Sequence, residues 1–346
     1  APGPTSEIPC KQRVSPTLQK CEAAVMKRNT TARLQSADSQ TKRFGIEMLT
    51  PTMIILIIMT AYPLIFTLIY SFTDYNYLKG TDKASFILFK NYIKLFKNDY
   101  FRQAVLNTIK FTVLAVILEM GLGLLVAVFI NSLKRGQKIM RTLLLLPYLL
   151  PAVTVALSWR MMLSSNYGII NQFLESLGLP WYNWFLDTKT AFGAILLIDV
   201  WQNTPFVFLL LFASLQSVPE GQYEAARIDG AGDLRIFVQI VLRLATPALA
   251  TIGLFIALGK WNDWYSSMLF IKTESKHTLQ YYLYRMVNMS NAIKSMQQAG
   301  VSTDVKLPSE TLKMAMAIVA TGPVVLVYPF VQRYFVKGVM IGAVKG

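Results

Sequence analysis

The chain has 346 residues, of which 53% are hydrophobic and only 15% charged, against roughly a quarter charged in soluble domains. Its net charge of +15 accompanies long apolar stretches, so basic loops flanking membrane spans account for it and a nucleic-acid partner is not expected. Cys10, Cys21 and the single His277 supply neither a disulfide framework nor a metal or histidine-based site.

Residues 1–40 are polar and lack an apolar periodic face, so they read as a disordered cytoplasmic tail rather than a cleavable signal peptide. Met26 opens a segment, "MKRNTTARLQ", typical of a membrane-protein start, and residues 1–25 are expected to be extraneous. Residues 41–346 form a six-span domain. Span one covers 48–72 and carries no charge. "NYIKLFKNDYF" follows as a short amphipathic surface helix. Span two, 108–132, absorbs Glu119, because its many Leu, Ile, Val and Phe residues, at about −0.3 to −0.6 kcal/mol each, offset one acid at about +3 kcal/mol. The basic loop "NSLKRGQKIMR" leads to span three, 142–163, and span four covers 191–215. Span five, 247–271, is interrupted by Lys260 and Asp263, and span six covers 313–333. Each exceeds or approaches the roughly 20 residues that cross a bilayer. Lys134, Arg135, Lys138 and Arg141, then Arg227, Arg235 and Arg243, then Arg333 and Lys337 fall on one side together with Lys42 and Arg43. That side is cytoplasmic by the positive-inside rule. The expected fold class is an all-α polytopic membrane protein with six transmembrane helices, both termini inside.

Between spans four and five lies "QSVPEGQYEAARIDGAGDLRIF". Ser217 stands three residues before Glu220, with Pro219 between them, which is a helix-start signal. Gly230 ends that helix where a left-handed residue is wanted, and Asp233 caps a second one, "LRIFVQIVL". The loop 217–246 therefore reads as a cytoplasmic helix-turn-helix. It is too long for a simple connector, since about two to eight residues join most packed helices. Ala225 and Ala226 are small enough for another surface to approach closely.

These residues carry a resemblance. "EAARIDGAG", with Ile240 and Leu242 downstream, is similar to the cytoplasmic loop of permease subunits in binding-protein-dependent ABC importers. The family pattern ends in proline where this chain has Arg243, which bears on the exit of the second short helix. "LLPYLLPAVTVALSWRMMLSSNYGIINQFL" and "DVWQNTPFVFLLLFASLQSVPEGQYEAARIDGAG" resemble sugar permeases of the maltose and glycerol-phosphate type. "LGKWNDWYSSMLFI" and "YPFVQRYFVKGVMIGAVKG" resemble the partner-type oligosaccharide permease. The chain thus reads as the front of one kind joined to the back of the other. The resemblance implies a type I importer permease fold in a bacterial plasma membrane, importing a sugar or oligosaccharide delivered by an extracellular solute-binding lipoprotein. It implies a second permease subunit as partner. With no Gly-x4-Gly-Lys-Ser/Thr loop in the sequence, ATP and Mg would be held by a separate ATPase subunit rather than by this chain, which would itself be no enzyme. Glu224, Ala225, Ala226, Arg227, Asp229 and Gly230 would form the ATPase-coupling element.

Intramembrane polar groups are costly and mark pathways. Glu119, Asp199, Gln202, Asn203, Asn262 and Asp263 are the substrate-pathway candidates, with Trp201 and Trp261 as surfaces for a sugar ring. The bland alternatives are pairing between neighbouring helices for the acids and interface anchoring for the tryptophans. The competing function is a stand-alone secondary transporter or channel for a small polar solute. It would call for repeated halves with broken segments, and no internal repeat is evident.

Overall fold

The computed structural model describes residues 16–75, 85–133, 135–216, 220–299 and 309–343. Lys134 and the expected cap residues Ser217 and Pro219 lie outside them. Among the described residues the chain is helical apart from one isolated bridge, Thr73 to Phe86. It divides into two units, residues 1–66 and 67–346.

In the first unit α1 (Pro16–Ser71) begins far upstream of span one. This corrects the expected disordered tail for residues 16–40. No Gly or Pro interrupts residues 17–44, and Lys, Gln, Arg, Glu, Ala, Met and Leu there are helix formers. Arg43–Ser71 is long and apolar enough to cross a membrane.

The second unit holds the last turn of α1, α2 (Lys90–Lys97) and α3 (Asp99–Ser132). Asn98 starts α3 by accepting the Phe101 N–H at 3.0 Å, so the helix begins nine residues before the expected span. Phe111, Ala115, Glu119, Gly123 and Ala127 are all buried at a stride of four, forming one face of α3. That face meets α7 (Thr188–Gln216). A Cβ on Gly123 would lie 2.8 Å from Val207 Cγ1 and 3.1 Å from the Phe208 backbone nitrogen, so only glycine permits this approach. Small residues play this part wherever membrane helices pack closely.

Span three is not one straight helix. α4 (Gln137–Leu149) and α5 (Ala152–Met162) meet at 88°. Pro151 lacks an N–H and drives Leu150 into extended geometry, with φ −75° and ψ 135°. At 1.5 Å per residue the two pieces reach only about 20 and 16 Å, each short of a bilayer core of about 30 Å. The short α6 (Ile169–Ser176) leads back toward α7.

Span five is also redrawn. After α8 (Glu220–Ile228) and α9 (Asp233–Ile236), a π-turn over Phe237–Val241 runs directly into α10 (Leu242–Trp261). The membrane-capable stretch is Phe237–Trp261, ten residues earlier than 247–271. No Gly or Pro separates Gly232 from Pro247 to stop the helix. Its end is set by Asn262, whose Nδ2 donates to Leu258 O at 3.0 Å, and by Asp263, whose Oδ1 accepts the Tyr265 and Ser266 N–H groups. Asp263 thereby opens α11 (Tyr265–Phe270). The loop 217–246 shrinks accordingly to α8 and its turn. α12 (Leu279–Gln298) and α13 (Glu310–Ala343) complete the unit. Among the described residues five helices are long and apolar enough to be spans, or six when the bent α4–α5 pair is taken as one.

Candidate functional site

Three helices converge on Lys260. It occupies the last turn of α10 and is 9% exposed. Its Nζ donates to Asp199 Oδ1 of α7 at 2.7 Å and lies 3.0 Å from Glu119 Oε1 of α3. Glu119 Oε1 is held by this contact as one half of an ion pair. Asp199 Oδ2 has no hydrogen-bond partner among the described residues. Asn203, one turn along α7, donates its Nδ2 to Asp199 Oδ1 at 3.0 Å and to Asp199 O at 2.9 Å. Two carboxylates thus share one ammonium in a setting where desolvation is severe and attraction strong. The arrangement pins α3, α7 and α10 to one another.

The sequence candidates divide on this geometry. Glu119, Asp199 and Asn203 come together, with Lys260 as the residue that sequence reasoning passed over. The other candidates point elsewhere. Trp201 sits two positions after Asp199, on the far side of α7 at 3.6 residues per turn, with its ring 5.4 Å from that of Trp159. Gln202 donates to Leu150 O at 3.3 Å, bracing the bend between α4 and α5. Trp261 donates its Nε1–H to Ala320 O of α13 at 2.7 Å. Asn262 caps α10 and accepts from Gln280 at 3.1 Å, while Asp263 opens α11. For Trp261, Asn262 and Asp263 the polar atoms already serve helix ends and packing. Among the described residues no group of three His, Cys, Asp or Glu could hold a metal ion.

A second site lies on the opposite end of α7. α8 ends in a turn whose Gly230 has φ +75°. Gly230 N–H donates to Arg227 O and Ala231 N–H to Ala226 O, each at 3.0 Å, closing the carbonyls of the last turn. Ala226 is buried in a cluster with Ile130 of α3, Val207 and Phe212 of α7, Ile236, and Val241 at the start of span five. Ala226 thus packs on the chain's own core. Glu224, Ala225, Arg227, Ile228, Asp229 and Gly230 are exposed, Ile228 at 85%.

Comparison with known proteins follows the same lines. The model of a family described as "Binding-protein-dependent transport system inner membrane component" matches residues 119–341. The trehalose/maltose transport system permease protein MalF of Thermococcus litoralis is 32% identical over 225 residues, covering 65% of this chain and 74% of that protein. The polygalacturonan/rhamnogalacturonan transport system permease protein YtcP of Bacillus subtilis is 39% identical over 182 residues, covering 52% of this chain and 59% of that protein. The fold matches that of a chain from a bacterial alginate ABC transporter solved with its pentasaccharide-bound periplasmic protein. That match has a TM-score of 0.68 at 19% identity, over 86% of this chain and 95% of the other.

Proposed function

Because the chain belongs to the family of inner membrane components of binding-protein-dependent transport systems, we propose that it is the permease subunit of an ATP-driven importer for a sugar or oligosaccharide. The observation that carries this reading is the family match over residues 119–341, joined by relatives named as permeases for trehalose and maltose and for polygalacturonan and rhamnogalacturonan. An extracellular binding protein would deliver the solute, and a second permease subunit would complete the pathway. The stand-alone transporter or channel gives way to the family assignment.

In this reading both termini lie in the cytoplasm and α8 is the element that meets the ATPase subunit. This chain would hold no cofactor, and ATP with Mg would be bound by the ATPase. Glu224 is an exposed carboxylate able to accept charge-assisted hydrogen bonds from such a partner. A force on α8 has a direct physical route inward. Ala226 is packed against α3, α7 and the start of span five, the same three helices that Lys260 ties together farther along. Displacing α8 would therefore move them as a group, which suits alternation between two access states. Glu119, Asp199 and Lys260 would mark the pathway.

The test is made on α8. Gly230→Val forces a β-branched residue into the left-handed region, at about 1–3 kcal/mol, and Glu224→Ala removes the anchor without reshaping the turn. Both variants should reach the membrane in normal amount, lose retention of the ATPase subunit by about tenfold or more, and fail in solute uptake. Normal retention and normal uptake in both would reduce α8 to a connector.

A further inference from the structure

We propose that the groove between α3, α4 and α7 is a binding site for an anionic phospholipid, with an acyl chain along α7 and the headgroup at the first turns of α4. The groove encloses about 660 Å³ and is walled by Leu118, Leu122, Leu144, Leu196 and Phe208 among other apolar side chains. It follows α7 from Gly193 to Phe208, about 22 Å of helix rise. That is a length and chemistry suited to a hydrocarbon chain. It lies on a different face of α7 from Asp199 and Asn203, so it is separate from the polar site.

The end of the groove selects the headgroup. One turn beyond Phe208, the ring of Phe212 lies under the Arg141 guanidinium, 3.9 Å from centroid to carbon. Arg141 donates through Nη2 to Gln137 Oε1 at 3.0 Å, but its Nε is buried with no partner. Lys138 and Arg135 are exposed on the preceding turns. α4 itself begins at Gly136, with φ +81° and no side chain capping its first N–H groups. Three cations and an open helix N-terminus therefore stand where an apolar groove ends. A neighbouring subunit's apolar helix would fill the groove but leave those charges at the membrane surface without a counter-charge. A phospholipid with an anionic headgroup satisfies both. Each Lys or Arg near a membrane surface favours anionic lipid by about fivefold in affinity.

The experiment uses the full permease complex in nanodiscs containing phosphatidylglycerol or phosphatidylcholine with brominated acyl chains, which quench nearby tryptophan. Trp201 lines the groove, and the difference from a Trp201→Phe complex isolates its signal. Brominated phosphatidylglycerol should quench Trp201 at about a hundredth of the mole fraction that phosphatidylcholine requires. Lys138→Gln, at an exposed position, should lower that preference about fivefold, and adding Arg135→Gln and Arg141→Gln should abolish it. Leu122→Phe, which narrows the groove, should weaken quenching by both lipids alike. Equal quenching by the two lipids in the unaltered complex overturns the proposal. So does an unquenched Trp201, the result expected if another subunit's helix occupies the groove. A preference that survives loss of all three cations would do the same.

Discussion

Lys260 faces Glu119 and Asp199 across the packed helices, and removing it isolates two buried carboxylates. Lys260→Met should destabilise the chain by about 3–5 kcal/mol, whereas replacing the whole cluster with neutral groups (Lys260→Met, Glu119→Gln, Asp199→Asn) should recover most of that loss. Thermal melting in detergent compares the two. Equal melting temperatures for the single and triple variants would mean the charges do not balance one another in the folded state. The triple variant also separates roles: if it is stable but transports nothing, the cluster belongs to the pathway and not only to the fold. His277 provides a second residue-scale prediction. Burial, and then the Arg285 guanidinium at 3.3 Å from Nδ1, hold its pKa below the ordinary 6.5. Since Arg285 can only donate, Nδ1 accepts and the imidazole is neutral. A base with a depressed folded pKa contributes stability that is complete above pH 6.5 and is lost as pH falls toward the folded value. Acidification from pH 7.5 to 5.5 should lower the melting temperature of the unaltered chain more than that of His277→Gln. A steeper fall for the glutamine variant would refute this. At this scale the sequence identified Glu119 and Asp199 because an acid inside an apolar run is conspicuous. It ranked Trp261, Asn262 and Asp263 equally, because composition does not reveal that Ala320 O or a helix end already occupies a polar atom.

Among the helices, the α3–α7 crossing sets how closely the polar cluster can assemble. Gly123→Ala places a methyl 2.8 Å from Val207 Cγ1, and overpacking of this kind costs about 1–3 kcal/mol. Trimming the neighbour with Val207→Ala should relieve part of that cost, so the double variant should melt higher than the sum of the two single losses predicts. Strict additivity would show that the contact is not the cause. The Phe208 backbone nitrogen at 3.1 Å limits how complete the rescue can be. The stride Ala115, Glu119, Gly123, Ala127 was present in the sequence, and small residues in phase with a buried acid mark a helix interface. Hydropathy alone locates apolar runs but does not phase them. The same limitation misplaced span five. Leu244 to Gly259 is uncharged and sits near the middle of the true helix, but where a helix begins and ends depends on local hydrogen bonds. Asn262 and Asp263 supply those bonds at one end, and the π-turn carries the helix back to Asp233 at the other. In a span over 247–271 Lys260 is an interruption, whereas in a helix that ends at Trp261 it stands in the last turn as a partner for the two acids. The break at Pro151, by contrast, was visible as a proline inside a run of eighteen uncharged residues, Thr142 to Trp159. Proline within a membrane helix is common, so its presence did not by itself forecast an 88° turn.

For the whole molecule the decisive quantity is sidedness, which a helical count does not supply. Reading α4–α5 as one broken crossing gives six spans and places both ends of the chain on one side, whereas reading it as re-entrant gives five and places them on opposite sides. The basic residues discriminate. Arg135 precedes α4, Lys138 and Arg141 lie in its first turns, and Arg227 and Arg235 flank the turn after α8. Both groups fall on the same face only if the chain crosses twice between them, out through α4–α5 and back through α7. A re-entrant pair would put one group outside, against the positive-inside rule. The prediction uses a background with Cys10→Ser and Cys21→Ser, which removes the two native thiols of the sequence. A cysteine in place of Gly136 should then react in intact cells only with reagents that cross the membrane, as should one in place of exposed Asp229. A cysteine in place of Ser176, at the end of α6, should react with impermeant reagents added outside. Labelling of the Gly136 and Asp229 positions from opposite sides would select the re-entrant arrangement. It would also put the α8 turn or the basic end of α4 on the outer face, and the ATPase could then no longer reach the one, or the anionic inner leaflet the other.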